Sequence, residues 1–96
     1  MERRKSEPLT DVLLRFMRQA GLESPLNEYR LVQAWPEVAG KVAAAYTREV
    51  FIRNQTLVVR LSSPVVRSEL LMRRRELASR LNACVKADVI KDIMFV

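Results

Sequence analysis

Histidine is absent from this 96-residue chain, which removes imidazole acid-base catalysis, the Ser-His and Cys-His nucleophile pairs and the commonest side-chain metal ligand. The single cysteine, Cys84, has no partner for an internal disulfide and cannot build a thiolate zinc site, which fits a reducing compartment. No apolar run approaches the ~18 residues that a membrane-spanning helix requires, so no membrane role is expected. The opening Met1 to Glu7 has charges but no apolar stretch behind it, so a cleaved signal peptide is not expected and the cytoplasm is the default address. With 2 Gly and 4 Pro against 49% hydrophobic residues, collagen-like repeats, linkers and disorder are excluded.

What remains is a short, apolar and strongly basic chain. A sequence of this size builds one hydrophobic core, so residues 8–96 read as a single domain behind a short basic tail over residues 1–7. The 17 Lys and Arg outnumber the 11 Asp and Glu, for a net charge of +6, and that field concentrates polyanions or acidic surfaces. Thirteen of those cations are arginine, whose planar fork suits phosphate and carboxylate. The eleven carboxylates are scattered, with neither a paired-acid nor a metal-loop spacing. No catalytic residue, metal, cofactor or small-molecule substrate is expected.

Hydrophobic periodicity divides the chain into elements. Ser6 and Pro8 offer helix-start chemistry. Leu9, Val12, Leu13, Phe16, Met17 and Ala20 then recur at steps of three and four, up to a stop at Gly21. Asp11, Arg15, Arg18 and Gln19 fall on the opposite, solvent side. Ser24-Pro25 predicts a second start, with Ser24 as cap, and Leu26, Tyr29, Val32 and Trp35 as the buried stripe. Pro36 predicts a kink or break. Glu37 to Tyr46 reads as a short third helix or a bent continuation, with Val38, Val42 and Ala45 inward and Gly40 allowing a close backbone contact.

From Glu49 the period becomes two, as in an antiparallel hairpin turning at Asn54-Gln55. Ile52 then faces Leu57 and Val50 faces Val59 on the core side, while Phe51 faces Val58 on the other. Ser63-Pro64 starts a long helix to about Cys84 or Lys86, with Val66, Leu70, Leu77, Ala78, Leu81, Cys84 and Val85 in one stripe. Cys84 therefore reads as a buried hydrophobe, and Arg74, in the same stripe, either snorkels or pairs with an acid. Val89 to Val96 is rich in β-branched and apolar residues, as a final strand would be.

The order is α-α-(α)-β-β-α-β. A returning helix makes the last strand run parallel to Thr56–Leu61, beside either hairpin strand. The expected fold is an α+β two-layer sandwich: a small three-stranded sheet, helices on one face, the other face open.

Trp35-Pro36-Glu37-Val38-Ala39-Gly40 followed by Val42-Ala43 resembles a signature of the DciA-like family, a bacterial replicative-helicase recruiter or loader domain. Further matching pieces are Thr56 to Ser63, Glu69-Leu70, Leu77 to Asn82 and Ile93-Met94-Phe95. The resemblance implies a KH-like fold, binding to a DnaB-type replicative helicase, affinity for single-stranded or forked DNA, and no catalytic activity. Two departures bear on this. No extended tail of the kind some members carry follows the domain, which sets aside loading that relies on one. The two glycines, Gly21 and Gly40, make no Gly-x-x-Gly, so the usual KH clamp on a nucleic-acid backbone is missing.

Among residues that could meet a partner, the outer hairpin face is the most informative. Phe51 between Arg53 and Arg60 has the ingredients of a single-strand platform, where bases stack and guanidiniums hold phosphates. Lys41, Arg48, Arg67, Arg73 and Arg75 complete the set of candidate nucleic-acid or partner contacts. Arg73-Arg74-Arg75 span too wide an arc of a helix to face one partner together. Trp35, the only tryptophan, reads as core rather than as an exposed anchor. A general RNA-binding or ribosome-associated KH-like module would use the same basic surface and is the alternative.

Overall fold

The computed structural model describes residues 9–19 and 23–96. The start signals at Ser6 and Pro8, the tail over residues 1–7, and Ala20 with the Gly21 stop lie outside the described residues. Among the described residues the order is α1 (Leu9–Gln19), α2 (Glu23–Ala39), α3 (Lys41–Tyr46), β1 (Thr47–Arg53), β2 (Thr56–Leu61), α4 (Pro64–Met72), α5 (Arg74–Val85) and β3 (Asp92–Phe95). These form the expected α+β sandwich, five helices and a three-stranded open sheet, compatible with a KH-like arrangement.

The hairpin follows its sequence pattern. Asn54 and Gln55 both have positive φ, 51° and 61°, which matches the right-handed twist of the flanking strands in a two-residue turn. The register pairs Ile52 with Leu57, Phe51 with Val58 and Val50 with Val59. A register shift between Thr47 and Glu49 leaves Arg48 in a bulge. β3 runs parallel to β2, pairing Leu57 with Ile93 and Val59 with Phe95, so the strand order is β1-β2-β3. That settles which hairpin strand the last strand joins.

The core lies between the sheet and α2, α4 and α5. Leu57, Val59, Leu61 and Ile93 from the sheet meet Leu31, Trp35, Val66, Leu70, Leu77 and Leu81 from the helices, all buried. Each such aliphatic side chain contributes about 1.5–3 kcal/mol by leaving water. Trp35 is fully buried, as expected. Its Nε1 donates to Thr47 Oγ1 at 3.1 Å, that hydroxyl donates on to the Ala43 carbonyl, and its ring tilts against Phe95 with centroids 6.1 Å apart. The indole's one polar group is thereby satisfied.

Several expectations are corrected. α2 already includes Glu23, so Ser24 lies inside its first turn rather than capping it. Its buried stripe passes through Leu31, Trp35 and Val38, and Tyr29 is 62% exposed. The helix runs through Pro36 and ends at Ala39. The break comes at Gly40, whose φ of 99° and ψ of 166° are open essentially to glycine alone. A Cβ there would meet nothing within 4 Å, so Gly40 serves a backbone angle and not a close contact. α3 turns Ala43 inward, leaving Val42 66% exposed and Ala45 at the surface. α1 is helical, but Leu9, Val12, Leu13 and Phe16 on its apolar stripe are exposed.

The expected single long helix is two. Ser63 caps α4 as predicted, its Oγ accepting from the Val66 amide at 3.2 Å with Pro64 behind it. The helix breaks at Arg73, where φ −105° and ψ 14° interrupt the spiral. Cys84 is exposed, because Leu81 and Val85 occupy the centre of the buried stripe and turn it outward. Beyond the Lys86 turn, Asn82 clamps the return to β3. Its Oδ1 accepts from the Val89 and Ile90 amides and its Nδ2 donates to the Ile90 carbonyl at 2.9 Å.

Candidate nucleic-acid interface

The sheet's outer face follows from alternation. Leu57, Val59 and Ile93 point into the core, so Thr56, Val58 and Arg60 of β2 and Met94 of β3 point outward, beside Glu49, Phe51 and Arg53 of β1. Phe51, Val58 and Met94 are cross-strand neighbours and make one apolar row over all three strands. Arg53 lies on one side of this row and Arg60 on the other. A shallow concavity runs along it, with Val96 at its rim.

The two arginines are held differently. The Arg53 guanidinium carbon stands 5.7 Å from the Phe51 ring centroid, a cation-π contact, and Arg53 has no ion pair among the described residues. Arg60 Nε donates to Glu49 Oε1 at 3.1 Å, with both side chains more than half exposed, so the pair orients Arg60 more than it stabilises the fold. The face thus offers an aromatic ring, a flat apolar strip and two solvent-accessible guanidiniums.

Of the eight candidate residues, only Phe51, Arg53 and Arg60 are brought together here. Lys41 opens α3 and Arg48 sits in the β1 bulge, both exposed. Arg67 on α4 is half-buried, with Nη2 3.5 Å from the Leu61 carbonyl and Nε buried without a partner. Arg73 reaches Glu76 at 3.5 Å, and Arg75 points to solvent with no ion pair among the described residues. Arg74 pairs with Asp92 at 3.1 Å, which answers how it tolerates its place in the stripe. The three consecutive arginines therefore diverge. Met94 and Val96 also belong to the outer face; Met94 lies in the Ile93-Met94-Phe95 piece, and period two along the last strand is the signal that carries both. A second apolar hollow, between α3 and α4, is lined by Val42, Ala43, Val66, Leu70 and Met72.

Among the described residues no helix is long and apolar enough to cross a membrane, and no group of three or more Cys, Asp or Glu is placed to hold a metal. Fold and face together define a small basic α+β module whose outer sheet surface is uncovered among the described residues. The chain belongs to the family described as Dna[CI] antecedent, DciA, which it matches over residues 8–95. The family name implies a helicase-loading role in DNA replication. No curated protein and no solved structure matches the chain significantly.

Proposed function

We propose that this protein is a non-enzymatic adaptor of DNA replication in the cytoplasm, with residues 8–96 acting as one domain. It binds a DnaB-type replicative helicase and contacts single-stranded or forked DNA through the outer sheet face. Family membership supports the helicase partner. The observation that carries the DNA contact is the Phe51–Val58–Met94 row with an arginine on either side. Bases stack on an aromatic and apolar strip without sequence preference, and flanking guanidiniums take the phosphates.

The test is binding of a fluorescent single-stranded oligonucleotide to Arg53→Gln with Arg60→Gln, against Lys41→Gln with Arg75→Gln. Both pairs remove two charges, and all four residues are exposed, so the fold is kept in each. The sheet pair is expected to lose binding far more than the scattered pair. Equal losses would assign the affinity to net charge alone, and an RNA strand that outcompetes DNA would move the partner to RNA. Capture of the cell's replicative helicase after nuclease treatment tests the protein partner separately.

A further inference from the structure

The free edge of β1 carries a sequence that complements itself. Among the described residues β1 is the terminal strand of the sheet and pairs only with β2. Val59 offers its carbonyl, and Leu61 its amide, to Val96, so the odd-numbered residues of β2 bond toward β3 and the even-numbered ones toward β1. The partners of those even residues, Glu49, Phe51 and Arg53, therefore spend their backbone groups on β2. The amides and carbonyls of Val50 and Ile52 point the other way, out of the sheet. Both side chains are only partly buried, unlike Leu57 and Val59 on the central strand, as befits an uncovered edge.

We infer that β1 pairs antiparallel with β1 of a second copy, about a two-fold axis at Phe51, joining two sheets into one of six strands. An antiparallel partner must set even residues against even residues to satisfy Val50 and Ile52. Of the registers that do so, the one centred on Phe51 alone sets Glu49 against Arg53 of the second copy and Arg53 against its Glu49. It matches Val50 with Ile52 twice in hydrogen-bonded pairs. Phe51 meets its own copy in a non-hydrogen-bonded pair, where side chains approach closest. Shifting the register by one step either way leaves both charges unmatched. Glu49 already holds Arg60 and is still 52% exposed, so it can bridge Arg60 and the arriving Arg53. The two-fold operation keeps both outer faces on the same side, so the two Phe51 rings become neighbours on one continuous surface. This inference does not rest on DNA binding.

Sedimentation equilibrium of nuclease-treated protein over a wide concentration range tests it with no nucleic acid present. The wild-type chain is expected to show a monomer-dimer equilibrium. Arg53→Glu should weaken it about tenfold or more, since symmetry counts each like-charge pair twice. Glu49→Arg combined with Arg53→Glu and Arg60→Glu should restore it, since this exchanges every sign in the row, the Glu49–Arg60 pair included. A second measurement does not depend on those variants folding alike: in a Cys84→Ser background, Phe51→Cys should oxidise to a disulfide-linked dimer, and Met94→Cys on the same face should not. A monomer at every concentration, a dimer that Arg53→Glu leaves intact, or equal cross-linking at both cysteines would overturn the inference.

Discussion

Gly40 separates two effects that a glycine usually mixes. Its φ of 99° belongs to a region that L side chains avoid, yet a Cβ would have open space around it. Gly40→Ala should therefore cost about 1–3 kcal/mol in urea denaturation, from torsion and not from a clash, since the added methyl would meet no neighbour. Trp35 is the opposite case, a residue defined by its contacts. Trp35→Ala should lower stability by about 3–5 kcal/mol through lost burial, a large share of what so small a domain has, and partner binding should fail only as the fold fails. A variant that kept its melting temperature and lost its helicase would contradict that assignment. Trp35 was legible because a lone tryptophan on an amphipathic helix has little alternative to the core. Tyr29, Val42 and Cys84 were misread because periodicity finds an apolar arc without finding its centre, and each sits at the margin of its arc.

At the scale of elements the hairpin was readable down to its register, because period two and a two-residue turn leave one consistent pairing. The parallel direction of β3 also followed from the intervening helical segment, but its choice of β2 did not, since both neighbours satisfy the same connectivity. The division of the last long helix at Arg73 has no local signal, since arginines suit a helix interior. Pro36 misled in the other direction. It reads as a kink or a break, and the break is absent: α2 continues past it for three residues, with the Val32 carbonyl denied its helical amide. Pro36→Ala should consequently raise stability by about 1 kcal/mol or more in thermal unfolding, the ~3 kcal/mol cost of an interior proline being partly offset by a freer unfolded chain. Within the candidate site, Phe51, Arg53 and Arg60 came from alternation, whereas Met94 and Val96 needed the sheet order to bring them alongside.

For the whole molecule, charge sets the expected behaviour more than any single contact. With a net charge of +6, DNA binding should weaken steeply with salt, each phosphate contact adding about −0.7 to the slope of log K against log salt for a single strand. An oligonucleotide titration at several salt concentrations reads that slope. A flat response would remove the nucleic-acid part of the proposed function and leave the helicase part standing. The place of β2 in the sheet, finally, sets an order in time. It meets β1 across two turn residues, a closure that needs microseconds, but it meets β3 only after both α4 and α5 have crossed the sheet. The hairpin is therefore the early structure and the parallel pairing the slow one, so trimming Ile93 should hasten unfolding while leaving the refolding rate nearly untouched.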